Sequence, residues 1–270
     1  MSSPWSDLQR PPLSEPALRA ALTREGEWWT DLRVVTETTS TNDDLVAAAR
    51  AGVAEGAVLV AESQSAGRGR LDRSWVSPPR AGLTFSALFR PAGVPVARWA
   101  WLPLLAGVAL CTAVTEVAEV NVALKWPNDL VTDGRKLAGV LSVVAAGAAV
   151  VGIGLNVSTR SEELPRPDAT SLALEDADCL DRDTILRVVL RRLAADYQVW
   201  RAAAGDPGTS GLHAAYLASC DTVGRPVSVA LPSGEMLAGT ASGVDADGRL
   251  VVATDAGDRT VAAGDVLHVR

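Results

Sequence analysis

Hydrophobic and polar positions along the chain divide it into alternating helical and strand-like stretches. Pro16 to Glu25 carries Leu18, Ala21 and Leu22 on one helical face. Leu32 to Val35 reads as a strand. Ser40-Thr41-Asn42-Asp43-Asp44 reads as a helix start, with a hydroxyl cap, acids in the first turn, and Leu45, Val46 and Ala49 as the apolar face. Val58 to Ala61 and Leu83 to Phe89 are predicted strands, separated by a Gly/Arg-rich loop from Gln64 to Ser74. Val96 to Val117 is the main buried helix. A short strand leads into Lys125, then come the Pro-containing segment Trp126 to Asp129 and a turn at Asp133-Gly134. Asp181 to Ala204 has helical spacing, through Ile185, Val188, Val189, Leu193, Tyr197 and Trp200, and a further helix is predicted over Gly208 to Ser219.

Two apolar stretches invite a membrane reading. Trp99 to Val114 contains Pro103 and is too short to span a bilayer. Leu137 to Leu155 is long enough, but Ala145-Ala146-Gly147 in its middle reads as the turn of a hairpin between two buried strands. After Asp221 the pattern changes to short strands punctuated by turns at Pro232-Ser233-Gly234, Asp247-Gly248 and Ala256-Gly257-Asp258, which predicts a small all-β module. The expected division is therefore 1–220 and 221–270.

Composition narrows the function. At 270 residues and 48% hydrophobic, the chain supports a sizeable core. A formal charge of −7, with no basic run, argues against a general nucleic-acid binder. Cys111, Cys179 and Cys220 are far apart and form no C-x-x-C pair, as expected in a reducing cytosol and against a disulfide framework. His213 and His268 leave little material for a Ser-His-Asp or His-metal mechanism. The polar, Pro-rich start, Met1 to Pro16, has no apolar core of a secretory signal, so a cytoplasmic protein is expected. The basic residues are skewed: of 25 Lys and Arg, only Lys125 and Lys136 are lysines.

Four segments carry candidate chemistry. In Gln64-Ser65-Ala66-Gly67-Arg68-Gly69-Arg70, with Arg73 and Trp75 behind, glycines allow close backbone approach and arginines suit phosphate or carboxylate; alone it reads equally as a basic surface loop. Lys125-Trp126-Pro127-Asn128-Asp129 follows a strand; its lysine suits phosphate and its aspartate suits Mg²⁺, or the segment is a structural corner. Lys136, before Leu137-Ala138-Gly139, is either a charge aimed into a site or a solvated strand entry. Gly152-Ile153-Gly154-Leu155-Asn156 offers small residues for close approach and an amide for a base edge, or is merely a close-packed strand end. Both lysines fall within these segments, where a compact point charge differs from a guanidinium.

Taken in order, Ser40-Thr41-Asn42, Gly67-Arg68-Gly69-Arg70 with Trp75, Lys125-Trp126-Pro127-Asn128-Asp129, Lys136-Leu137-Ala138-Gly139 and Gly154-Leu155-Asn156 resemble biotin–protein ligases. The resemblance spans about Thr36 to Leu172 and returns at the ending Gly264 to Arg270. It implies an α+β fold, a class II aminoacyl-tRNA synthetase-like catalytic domain with a small C-terminal SH3-like barrel. It implies that biotin and MgATP give biotinyl-5′-AMP, which then acylates a lysine of a biotin carboxyl carrier protein. Carried onto this sequence, Ser40, Thr41, Asn42, Gln64, Gly67 and Gly139 would serve biotin; Arg68, Gly69 and Arg70 would close over biotin and phosphate. Trp75 and Asn156 would hold adenine. Lys125, Asn128 and Asp129 would serve the nucleotide, with Asp129 the candidate metal ligand, and Lys136, Arg70 and Lys125 would be catalytic. Many relatives carry a Glu where this chain has Ser142-Val143-Val144. With about 30 residues before the first strand, a repressor role like that of relatives with a helix-turn-helix is not expected. Neither nucleic acid nor membrane is an expected partner, and a monomer or weak homodimer is expected. A lipoate-type ligase and a non-enzymatic binding module are the competing readings.

Overall fold

The computed structural model describes residues 10–70, 73–231, 233–262 and 264–268. Pro232 of one anticipated turn, Leu71 and Asp72 of the Gly/Arg loop, and Val269 and Arg270 of the C-terminal ending lie outside them. The larger sheet contains β1 (Asp31–Val35), β2 (Ala57–Ala61), β3 (Gly82–Phe89), β4 (Ala123–Lys125), β5 (Asp129–Thr132), β6 (Arg135–Ala145) and β7 (Ala148–Asn156). Their order is β1-β2-β3-β7-β6-β5-β4, with β1 parallel to β2 and every other pair antiparallel. The helices are α1 (Glu15–Leu22), α2 (Thr41–Arg50), α3 (Trp101–Ala118), α4 (Arg182–Ala202) and α5 (Leu212–Ser219).

Both faces of the sheet are covered, which is why β2 and β7 are buried at every position rather than alternating. Val58, Val60, Phe85 and Val151 join the main core with α1, α3 and α4. Ala57, Leu59, Leu88, Ala148 and Val150, pointing the other way, pack under Leu45, Val46 and Ala49 of α2. The apolar run Leu137 to Leu155 is the β6–β7 hairpin, turning at Ala146 and Gly147, both at positive φ. The membrane-length apolar segment Val96–Ala118 is a core element, with 67% of its most apolar window buried. Its first turn, Val96–Ala100, is a 3₁₀ helix, so the α-helix begins later than the pattern implied. Strand β5 was not anticipated, since its four residues are too short to declare a period. The last helix starts at Leu212, not Gly208, because the chain first turns at Gly211 with φ of 76°.

The C-terminal module is a five-stranded antiparallel sheet, order β11-β10-β9-β8-β12, from β8 (Pro226–Ala230), β9 (Met236–Val244), β10 (Leu250–Thr254), β11 (Gly257–Val261) and β12 (Asp265–His268). It is tied to the larger unit through tryptophans. Trp101 donates its indole N–H to Ala246 O at 2.7 Å, and buried Trp126 donates to Gly248 O at 3.1 Å. The Trp126 backbone N–H also donates to Thr222 Oγ1 at 3.0 Å. Trp126→Phe removes one donor and leaves the Gly248 carbonyl unpaired. A loss of about 1–2 kcal/mol in urea-unfolding stability is expected. An unchanged midpoint would show that this bond does not hold the two units together.

Candidate active site

The floor of the site follows from strand register. On the α2 side of the sheet, Leu88 faces Val150, and both lie under the apolar face of α2. Two residues further along, Ser86 faces Gly152; beyond that Thr84 faces Gly154, and Gly154 faces Gly139 across the next pair. The same sheet face thus changes from large apolar to small residues at the N-terminal end of α2. A trench of about 650 Å³ opens there, within the ordinary range of ligand sites.

One end of the trench is a neutral polar network. Ser40 caps α2 by accepting from Asp43 N–H. Gln64 Oε1 accepts from the Thr41 N–H at 2.8 Å and lies 3.1 Å from the Thr41 hydroxyl. The Ser86 hydroxyl sits 2.7 Å from Thr41 Oγ1 and 2.6 Å from Asn42 Oδ1, and Asn42 Nδ2 donates to Leu141 O at 3.2 Å. Asn42 fits only because residue 152 is glycine; a Cβ there would lie 2.3 Å from Asn42 Oδ1.

The middle is occupied by Trp75, which lies against Gly154 and Gly139. Its indole N–H is buried and has no hydrogen-bond partner. Asn156 is 5% exposed and spends its Nδ2 donor on Thr170 O, 2.8 Å away. Its Oδ1 is left as the group for a ligand donor.

The other end is charged. Among the described residues, Arg68, Arg70, Arg73, Lys125, Lys136 and Arg166 line the trench against one carboxylate, Asp129. On a chain of net charge −7 this is a concentrated reversal of sign. Lys136 Nζ is 2.6 Å from Asp129 Oδ1 and 5.9 Å from the Trp75 ring centre. Arg70 Nη1 lies at 3.4 Å from both Asn128 Oδ1 and Gly264 O, so the loop reaches the C-terminal module. Asn128 in turn donates to Val140 O at 3.0 Å. Burial lowers the Lys125 ammonium below its ordinary value, against the opposing pull of Asp129 and Asp168. Burial likewise lowers Arg70, although a guanidinium stays charged at any working pH.

Every residue anticipated for the site lines the trench except Gly67. Gly67 is buried beneath the loop; a Cβ there would lie 2.4 Å from Trp75 O and 2.6 Å from Gln64 Nε2. Its backbone O accepts from Trp75 N–H at 2.8 Å, so it helps to fold the loop. Among the described residues of the Gly/Arg loop, Gly69 N–H donates to Arg73 O, and Arg68 pairs with Asp43 at 3.2 Å. Sequence reading missed Thr84, Phe85, Pro165, Arg166, Ala169, Val266 and Leu267. The last two come from the C-terminal module, whose ending the sequence marked as part of the resemblance but not as lining of the site.

Comparison with known proteins decides the family. A model of the biotin/lipoate A/B protein ligase family matches residues 33–159, and one of the biotin protein ligase C-terminal domain matches residues 222–269. The biotin–[acetyl-CoA-carboxylase] ligase of Mycobacterium tuberculosis (strain ATCC 25618 / H37Rv) is 44% identical over 270 residues, 98% of each chain. The chain belongs to the biotin/lipoate A/B protein ligase family. A solved biotin protein ligase from Aquifex aeolicus, in complex with biotin and ATP, superposes with a TM-score of 0.75 at 28% identity, covering 90% of this chain and 100% of that one. The bifunctional ligase/repressor BirA of Escherichia coli (strain K12) is 31% identical over 74% of this chain and 62% of its own length. The fold is thus that of biotin protein ligases, an α+β catalytic unit with a C-terminal antiparallel module, as the motifs implied.

Proposed function

We propose that the trench is where this biotin protein ligase activates biotin with ATP, and that the residues lining it divide between the two substrates. The protein is an ATP-dependent ligase that forms biotinyl-5′-AMP and transfers biotin to a lysine of a biotin carboxyl carrier protein. The observation that carries the assignment is the junction of a neutral polar trench with a cationic end at Lys136.

The chemistry explains that junction. A biotin carboxylate oxygen bonds to the α-phosphorus of ATP, the bond from that phosphorus to the β-bridging oxygen breaks, and pyrophosphate leaves. Two anions must meet, so positive charge and alignment matter more than a base. Lys136 is placed to stabilise the crowded negative charge, with Arg70 and Lys125 beside it. In the second step the carrier lysine amine attacks the acyl carbon of the mixed anhydride. The acyl C–O bond breaks, AMP departs and the amine loses a proton.

Ser40, Thr41, Asn42 and Gln64 are assigned to biotin, with Gly139 allowing its approach. Arg68, Gly69 and Arg70 cover biotin and the phosphate, and Trp75 and Asn156 hold adenine. Lys125, Asn128 and Asp129 take the nucleotide's phosphate end. No group of three or more His, Cys, Asp or Glu side chains suited to a metal occurs among the described residues. A lone Asp129 therefore fits a Mg²⁺ that arrives on ATP, ligated mostly by phosphate and water, and not a protein-caged ion. Bound magnesium would supply charge neutralisation at the phosphates. The carrier domain is the macromolecular partner, and a cytoplasmic location accords with the free cysteines Cys111, Cys179 and Cys220.

Thermal unfolding tests the ligand assignment. Biotin alone should raise the unfolding temperature, and biotin with MgATP should raise it further, because ligands that bind only the native state stabilise it. No shift at millimolar biotin would contradict the site. A pH profile tests Lys125. Its ammonium loses its proton below the ordinary lysine value of 10.5, so adenylation should decline on the alkaline side before that pH. Lys125→Arg keeps the charge and should remove this decline. If the decline is unchanged in Lys125→Arg, another group causes it.

A further inference from the structure

Arg166 is a trench-lining cation that the motifs did not mark and that the site assignments above leave without a role. It stands between Pro165 and Pro167, whose fixed φ angles restrict the backbone on both sides. The segment is also bolted to β6 next to Lys136. Lys136 N–H donates to Asp168 O and Thr170 N–H donates to Lys136 O, both at 2.8 Å. Thr170 O holds the Asn156 amide. The arm carrying Arg166 is therefore fixed to the strand that places the reacting lysine.

The guanidinium is held as well. Its Nε donates to Asp168 Oδ1 at 2.8 Å, and its Nη2 pairs with Asp168 Oδ2. This fork leaves Nη1 as a donor for a ligand. Arg166 lies within electrostatic range of Lys125 and Asp129, at the phosphate end rather than the polar end. The Asp168 carboxyl is held below its ordinary range chiefly by the Arg166 bond, so the pair stays charged at neutral pH.

We propose that Arg166 is a substrate-contacting residue for the β,γ-phosphates of the nucleotide and for the pyrophosphate product, oriented by Asp168. This rests on the ATP reading given above. A planar fork already oriented by a carboxylate loses little freedom on binding a phosphate oxygen. Its distance from the polar end predicts that biotin does not feel it.

The test is equilibrium titration of the whole protein, parent and Arg166→Ala, with ATP, pyrophosphate, AMP and biotin in magnesium buffer. Binding needs no turnover, so the result is independent of whether adenylate forms. Arg166→Ala should weaken ATP and pyrophosphate about tenfold, the value of one charge-assisted hydrogen bond. AMP and biotin should bind as before, and Arg166→Lys should recover part of the loss. Equal weakening of AMP or biotin would overturn the proposal, because Arg166 would then be bracing the arm. Unchanged ATP and pyrophosphate binding would also overturn it. Failure of the parent to bind ATP at all would sink the ATP reading and this proposal together, whereas ATP binding unaffected by Arg166→Ala sinks only this one.

Discussion

Lys136→Ala should lower biotin-dependent exchange between ATP and pyrophosphate by about a hundredfold or more, with little change in unfolding temperature. The magnitude is that of removing one preorganised charge-stabilising donor from a transition state. The side chain is anchored on three sides: Asp129 at 2.6 Å, the Trp75 ring, and the Cα of Gly139, where a Cβ would come within 3.3 Å of Nζ. That crowding is why Lys136→Arg should not rescue the rate, since a planar guanidinium needs more room and points its charge differently. Stability should change by only about 1 kcal/mol, as the ion pair with Asp129 is partly exposed. Exchange within threefold of the parent would remove Lys136 from the reacting centre.

Gly152→Ala and Gly154→Ala should separate the two ends of the trench. A Cβ on residue 152 would sit 2.3 Å from Asn42 Oδ1, so the amide must leave Ser86 and Leu141. A Cβ on residue 154 would sit 2.2 Å from the Trp75 ring, so the indole must swing out. Overpacking and the lost bonds together cost about 1–3 kcal/mol, or roughly tenfold to a hundredfold in affinity. The first variant should lose biotin affinity and keep most of its ATP affinity; the second should do the reverse. Calorimetric titration reads both. Equal losses of both ligands in both variants would mean the strand itself had been distorted and the assignment of the two ends was wrong.

The motifs were legible because each is local. Ser40 caps the helix that its neighbours begin, and the glycines of β7 declare a close approach before it is known what approaches. The skewed use of lysine also pointed correctly at this trench: both lysines of the chain line it. What could not be read depends on pairing across long stretches of chain. Arg166 reaches the site only because Asp168 and Thr170 bond to the backbone of Lys136, about thirty positions earlier. Val266 and Leu267 arrive through a separate sheet held by Trp101 and Trp126. Gly67 lies outside the trench lining for a subtler reason. A Gly/Arg loop announces flexibility and charge, but Gly67 is turned under the loop by the hydrogen bond from Trp75 N–H to Gly67 O, while Gly69 lines the trench. Strand β5 is too short for its burial pattern to show a period, yet it sets the Asp129–Gly139 pairing on which the charged end depends.

The most direct measurement is a single incubation of the protein with biotin, MgATP and a biotin carboxyl carrier domain, followed by mass analysis of the small molecules and the carrier. Formation of biotinyl-5′-AMP and pyrophosphate without carrier, and of AMP and singly biotinylated carrier with it, is the predicted result. No adenylate under saturating substrates, or an adenylate formed from lipoate and not from biotin, would contradict it.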